Sequence, residues 1–224
     1  MNLRVLPVLP VLLLAAGVVH AETPTLDAIK EASETAWSAV KSLSGDVTMN
    51  FVMPFAEKPL DLTGTGQVHF LREDGKDKYR KTITARLPEP FAMEMKLDVL
   101  FDGKKVYTTT ELMGQAQKQE GDPSLRQGAL PPGGGALLAS METEMVLKVL
   151  PNEKLGDHAV FVLEGKAKDP EIPFSKVVIY IDQTLGIQRR VDVYQADGTV
   201  GISEIFENIE VNTSPDASLF VPVK

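Results

Sequence analysis

The chain has 224 residues, no cysteine and a formal net charge of −8 at pH 7. The lack of cysteine excludes a disulfide framework, a thiolate metal site, a cysteine nucleophile and a lipid anchor on a thiol. The acidic balance, without a basic patch, argues against nucleic acid or an anionic membrane surface as a partner.

The first residues have the pattern of a cleaved export signal. Arg4 precedes an apolar run over residues 5–19, which Pro7 and Pro10 interrupt. This run is shorter than the roughly 20 residues that a membrane-spanning helix needs, and Ala21 supplies a small side chain for signal peptidase. The pattern predicts a signal peptide over residues 1–21, cleaved after Ala21. We expect residues 22–224 to form a single exported domain with no permanent membrane insertion.

An amphipathic helix is predicted first, and strand periodicity follows it. Thr25 is typical of an N-cap, and apolar residues at three- and four-residue spacing predict a helix over 26–40. Four alternating runs then predict strands that each bury one face, and Asp102-Gly103 predicts a turn into a fifth strand. The apolar residues of the four runs are Val47, Met49, Phe51 and Met53; Val68 and Phe70; Tyr79, Ile83, Ala85 and Leu87; and Phe91, Met93, Met95, Leu97, Val99 and Phe101.

The middle of the chain departs from this pattern. Residues 114–135 are rich in Gln, Gly and Pro and predict a long flexible loop. Apolar residues at helical spacing then predict a helix over 137–150, which Pro151 ends. A long loop that carries a helix in a β protein is often a binding lid. The apolar residues of this predicted lid helix are Leu137, Leu138, Met141, Met145 and Val149.

The remaining chain returns to strand periodicity. Alternating runs predict strands over 159–163, 176–181, 187–194 and 200–211, and Asp197-Gly198 is typical of the last hairpin turn. No internal repeat is evident, so the pattern favours one mainly β domain.

No catalytic, cofactor or metal motif stands out. His69 and His158 lack neighbours at metal-ligand spacing, and Gly64-Thr65-Gly66 lacks the third glycine of a dinucleotide fingerprint. The sequence has no G-x-S-x-G elbow. It does not exclude an enzyme, but nothing positive supports one, so it predicts a protein that is not an enzyme and binds neither cofactor nor metal.

Methionine is frequent on the apolar stripes, with eight residues in the chain. Two interpretations stay open. Methionine fills gaps in an ordinary core, and its flexible side chain also suits a surface that closes around ligands of variable shape.

Short segments along the chain carry a family resemblance. Residues 43–51 are similar to a passage from a helix into a first strand, and 64–72 to a second strand that ends in a basic residue. Lys78-Tyr79-Arg80, the turn Phe101-Asp-Gly-Lys-Lys-Val-Tyr107 and the closing segment 212–220 follow in the same order. Through them the chain resembles the LolA-like periplasmic lipoprotein carriers from about residue 26 to 223. Glu73 stands where the carrier has a proline, which favours the fold over the carrier in the strict sense.

The resemblance implies a strongly curved antiparallel sheet, an incomplete β-barrel, whose concave face is covered by the N-terminal helix and a central lid helix. It implies a periplasmic protein that holds the acyl chains of a lipid or lipoprotein in an apolar trough, for transport towards the outer membrane. An inner-membrane donor and an outer-membrane acceptor would be its partners. The alternative is a non-catalytic sensor or protein-interaction module with the same fold. Arg72 would latch the lid. The predicted ligand-binding residues are Met49, Phe51, Val68, Phe70, Tyr79, Ile83, Met93, Met95, Leu97, Leu137, Leu138, Met141 and Met145.

Overall fold

The computed structural model describes residues 23–53, 59–89, 92–122, 132–170 and 174–222. The predicted signal peptide and its cleavage site lie outside these residues, as do Phe91 and residues 123–131 of the predicted loop. The elements in chain order are α1 (Leu26–Ser38), β1 (Ser42–Met53), β2 (Leu60–Glu73), β3 (Lys76–Arg86), β4 (Glu94–Phe101), β5 (Val106–Leu112), β6 (Gln115–Gly121), α2 (Gly134–Glu144), β7 (Met145–Leu155), β8 (His158–Ala167), β9 (Lys176–Asp182), β10 (Gln188–Tyr194), β11 (Val200–Val211) and a 3-10 helix (Ala217–Phe220).

The eleven strands form one antiparallel sheet in the order β6-β5-β4-β3-β2-β1-β11-β10-β9-β8-β7. Two meanders, β1 to β6 and β7 to β11, are therefore joined where the first strand pairs with the last. The sheet does not close, because its two edges are β6 and β7. These edge strands follow each other along the chain, and the segment between them carries α2. The predicted fold, an open curved half-barrel, is confirmed.

Cross-strand register assigns each side chain to one of two faces. Val47 pairs with Gly66 and Gly66 with Ile83, so these residues share a face with the buried Val68 and Val99. We call this the inner face. The threonines at neighbouring positions, such as Thr65 and Thr84, pair on the opposite, polar face. Alternation thus separates an apolar inner face from a polar outer face on β2 and β3. On β8 and β9 the outer face carries a second buried cluster, formed by Val160, Val162 and Val178.

Helix α1 packs on the inner face through its apolar stripe. The Thr25 side chain accepts a hydrogen bond from the Ala28 N–H (3.2 Å), as its N-cap position predicts. Ile29 and Trp37 are buried, and the Trp37 ring lies 4.5 Å from the Phe70 ring between centroids. The single tryptophan therefore reports on the contact between α1 and the sheet.

Strand β6 corrects the prediction of a long loop over residues 114–135. Residues 115–121 are mostly exposed and polar, so they carry no apolar alternation, yet they pair with β5 along its whole length. The turn before them places Met113 and Gly114 at positive φ, the geometry of a tight hairpin. An edge strand beyond the apolar face is stabilised by backbone pairing, which leaves no trace in hydrophobic periodicity.

Strand β7 corrects the prediction of a helix over residues 137–150. Helix α2 ends at Glu144, and Met145 already pairs with Ala167 of β8. The apolar residues Met145, Leu147 and Val149 satisfy both the helical and the two-residue spacing, so the pattern was ambiguous. The pairing with β8 shows that these residues form a strand. Pro151 does not end a helix, because it lies where the β7–β8 register shifts.

Candidate ligand-binding site

Helix α2 is attached at both of its ends. Before it, Gly133 forms a β-bridge with Ile187, and the Gly134 N–H donates to the Gly186 carbonyl (2.8 Å). The Gly135 N–H donates to the Glu34 carboxylate of α1 (2.7 Å). Gly134 has φ +77°, and a Cβ there would lie 2.4 Å from the Trp37 ring, so this close approach requires glycine. The glycine run that predicted flexibility is buried and hydrogen-bonded at this end.

The C-terminal end of α2 is also bonded to neighbouring elements. The helix runs without a loop into β7, and the Glu144 carbonyl accepts from the Lys168 N–H (2.9 Å). Glu142 pairs with Lys30 of α1, with 2.6 Å between carboxylate oxygen and ammonium nitrogen. The contacts of α2 are thus those of a cover fixed to α1 and to the sheet.

The inner face beneath α2 is filled. Ile29 of α1 and Leu163 and Ile179 of the sheet are fully buried in the same cluster as the α2 side chains. The predicted site residues in this cluster are Leu137, Leu138, Met141 and Met145. This half of the inner face is a packed core in the structure.

The other half of the inner face remains partly open. Along one row the register joins Met49, Gly64, Ala85, Met95 and Leu112. Leu112 is 40% exposed, and the methionines are partly buried. We call Met49, Phe51, Met95, Leu97 and Leu112 the open strip. Ile202, which pairs with Phe51 and is 38% exposed, continues it onto β11. An exposed apolar strip beside a buried core is a surface on which an apolar ligand can lie.

A polar cluster lies on the same face, beside the open strip. Lys81 is 8% exposed and donates to the Glu204 carboxylate (2.7 Å), whose side chain is 13% exposed. The pair spans β3 to β11, with β2 and β1 between them. Gly66 of β2 lies between Lys81 and Glu204 on the inner face, and it has no side chain that could obstruct their contact. A Cβ at this position would lie 1.7 Å from the Thr82 carbonyl oxygen.

Two hydroxyl groups lie near this pair by register, Thr108 in the same row as Lys81 and Tyr79 in the next row of the inner face. Tyr79 is 4% exposed, and neither its hydroxyl nor that of Thr108 has a hydrogen-bond partner among the described residues. Burial, and secondly the charge of Glu204, raise the pKa of Tyr79 well above its usual range, so the hydroxyl stays protonated. We call Tyr79, Lys81, Thr108 and Glu204 the polar cluster.

Arg72 lies at the C-terminal end of α1. Its guanidinium forms a two-pronged ion pair with Asp77 (2.7 and 2.9 Å) and donates to the Trp37 and Val40 carbonyls, each at 3.2 Å. The hydrogen bond with Asp77 raises the pKa of Arg72 against the effect of burial, and the charges of Asp77 and Glu34 add to it. These contacts fasten α1 to β2 and β3 and satisfy carbonyls that a helix end leaves open. The lid-latch role stays a prediction, with Glu34 as the link from Arg72 towards α2.

Replacing Arg72 by leucine is expected to lower the free energy of unfolding by about 1–3 kcal/mol, because the bonds from a charged donor to α1 are lost. Urea unfolding followed by Trp37 fluorescence measures the change. Lys78→Leu is the matched control, since its ion pair with Glu73 is partly exposed and is expected to contribute about 1 kcal/mol or less. Equal effects of the two substitutions would show that Arg72 does not fasten α1.

The predicted site residues fall into separate groups. Val68, Phe70, Tyr79 and Ile83 are buried in the core cluster that also contains Trp37 of α1, whereas Met49, Phe51, Met95 and Leu97 form most of the open strip. Met93 is partly buried and precedes β4 rather than belonging to it. Sequence reasoning missed Lys81, Thr108 and Glu204. One feature of the sequence could have identified Lys81. It is a charged residue at a position of the strand where alternation predicts an apolar one, between Tyr79 and Ile83.

No protein-family model matches the sequence, and no curated protein matches it. Solved structures do match. An uncharacterized conserved protein from Thermus thermophilus is 12% identical, with a TM-score of 0.51 over 88% of this chain and 93% of that chain. MucB is 13% identical, with a TM-score of 0.50 over 88% of this chain, and the match spans 61% of MucB, less than two thirds of its length. A LolA superfamily protein from Nitrosomonas europaea is 14% identical, covering 89% of this chain and 98% of that chain, with a TM-score of 0.38.

These likenesses are ones of fold. The open antiparallel half-barrel with two helices on its inner face is the architecture that the LolA-like resemblance implied. Among the described residues no helix has the length and apolar character to cross a membrane.

Proposed function

We propose that this protein is a non-catalytic periplasmic binding protein that holds the acyl chains of a lipid or lipoprotein on its open strip during transport towards the outer membrane. Export rests on the signal pattern of residues 1–21. An inner-membrane donor and an outer-membrane acceptor would load and unload the protein.

The observation that supports this proposal is the open strip itself. Leu112 and Ile202 are exposed, and the partly buried Met49 and Met95 lie between them. Each acyl CH₂ group removed from water contributes about 0.8 kcal/mol. A chain of about ten buried CH₂ groups therefore supplies on the order of 8 kcal/mol before the cost of immobilisation, without any polar contact. Flexible methionines adapt the strip to chains of different shape.

A titration with a fluorescently labelled 16-carbon fatty acid tests the open strip. The wild type is expected to bind it saturably, and Met95→Gln combined with Leu112→Gln to weaken binding about tenfold. That factor equals about 1.4 kcal/mol, or roughly 55 Å² of lost apolar contact. Val146→Gln is the control, because Val146 is exposed but lies on β7 next to the inner-facing Met145 and hence on the outer face.

The strip proposal fails if the folded wild type, checked by circular dichroism, does not bind the probe saturably. It fails equally if the double variant and Val146→Gln bind alike. Native mass spectrometry of protein purified from the periplasm adds an independent readout, with co-purified lipid as the expected result.

The second candidate function is a sensor or protein-interaction module. The filled half of the inner face favours it, because Leu138 and Met141 are fully buried and leave that half as solid core. In that case the open strip would take an apolar protein segment, and the lipid probe would not bind.

A further inference from the structure

The polar cluster is incomplete as a set of hydrogen bonds. An ammonium group has three N–H donors, and Lys81 uses one of them on Glu204. The hydroxyls of Tyr79 and Thr108 have no partner among the described residues. Buried polar groups in folded proteins are nearly always hydrogen-bonded, so an exception calls for a further partner, which is a water molecule or a bound ligand. Several donors therefore face the inner side of the sheet without an acceptor.

The position of the cluster relates it to the open strip. Lys81 pairs with Val99, and Val99 with Thr108. The next row on the same face contains Leu97, and the row after it Met95. Two residues along a strand span about 7 Å, so Lys81 and Thr108 lie one such step from Leu97 and two from Met95, and Tyr79 lies one step further from the strip. At its other end, Glu204 pairs with Met49 of the strip. A chain that lies on the strip and extends along the same face towards Lys81 would bring its polar end to the cluster.

The charge of the cluster selects the kind of polar group. Glu204 already balances the charge of Lys81, and the carboxylate would repel a second anion at short range. A neutral acceptor meets only donors from Tyr79, Thr108 and the remaining ammonium protons. An ester or amide carbonyl is such an acceptor, whereas a free carboxylate or a phosphate is an anion.

We propose that the polar cluster binds the carbonyl oxygen of an ester- or amide-linked acyl chain, so that the protein favours acylated ligands over free fatty acids. This inference rests on the proposed function and defines its ligand class. The acyl chain lies on the open strip, and its carbonyl enters the buried polar cluster, which opens on binding, and accepts from the Tyr79 hydroxyl and the Lys81 ammonium.

Competition against the labelled fatty acid tests the inference, with methyl palmitate and palmitate as ligands of equal chain length. The wild type is expected to bind the ester at least about fivefold more tightly than the free acid at pH 7.5. Tyr79→Phe is expected to weaken ester binding about five- to tenfold, the effect of one lost hydrogen bond, and to leave palmitate binding unchanged. Its urea midpoint should match that of the wild type, since this hydroxyl has no protein partner to lose.

Tyr107→Phe is the control, because it removes a tyrosine hydroxyl at a position paired with Leu100, on the face opposite to Val99. It should leave the binding of both ligands unchanged. Unchanged ester binding in Tyr79→Phe, or tighter binding of the free acid by the wild type, overturns the carbonyl site while the lipid-binding function stands. If the wild type binds neither ligand nor the probe, the proposed function fails and the inference falls with it.

Discussion

Replacing Lys81 alone by methionine is expected to lower the free energy of unfolding by about 3–5 kcal/mol, because the substitution leaves the Glu204 carboxylate buried without its partner. Changing both residues, Lys81→Met with Glu204→Leu, is expected to recover most of that loss. The desolvation cost of both charges disappears, and apolar side chains of similar volume take their place. Urea unfolding followed by Trp37 fluorescence measures all three proteins.

The matched control is Lys96→Met. Lys96 pairs with Glu94 at 3.0 Å, but both side chains are more than half exposed, so we expect a loss of about 1 kcal/mol or less. A Lys81→Met protein as stable as the Lys96→Met protein would contradict a buried ion pair across the inner face. A double variant less stable than either single variant would show that the two charges contribute more than their burial costs.

Truncating the buried side chains of α2 is the second change with a large expected effect. Leu138→Ala and Met141→Ala are each expected to cost about 2–5 kcal/mol, because both side chains are fully buried against Ile29 and the sheet. Binding of the labelled fatty acid should change little at a temperature where the variants remain folded, since the open strip lies on the other half of the inner face.

Leu112→Ala is the control, because we expect it to weaken probe binding and to leave stability nearly unchanged. Leu112 is exposed on the open strip, so its truncation should alter stability by about 0.5 kcal/mol or less while weakening probe binding. The result that would contradict a fixed cover is a small loss of stability in Leu138→Ala together with tighter probe binding. In that case α2 competes with ligand for the inner face and acts as a displaceable lid.

The sequence predicted helices and strands correctly wherever one face of the element is buried. Alternation in 79–85 and 93–101 and helical spacing after Thr25 arise because the apolar core selects one face of each element. The turn at Asp102 was equally local, as its carboxylate accepts from the N–H groups of Lys104 and Lys105. The half-barrel followed from the order of these elements and the short motifs that resemble the LolA-like family.

Strands β6 and β7 needed the tertiary structure. Residues 115–121 are exposed at the edge of the sheet, so nothing in their side chains distinguishes them from a polar loop. Met145, Leu147 and Val149 fit two periodicities, and only the pairing with β8 chooses between them. Secondary structure that depends on a partner strand cannot be decided from local pattern alone.

The candidate site divides in the same way. The sequence by itself determined that Met49, Met95 and Leu97 belong to one apolar face, since period-two alternation fixes the face of each strand residue. Only the tertiary structure decided that this part of the face stays open while Leu138 and Met141 fill the other part. It also decided that Lys81 meets Glu204, 123 positions later in the chain, across β2 and β1. Such a contact depends on the curvature of the sheet and on the pairing of its first strand with its last, and neither is encoded in the residues next to Lys81.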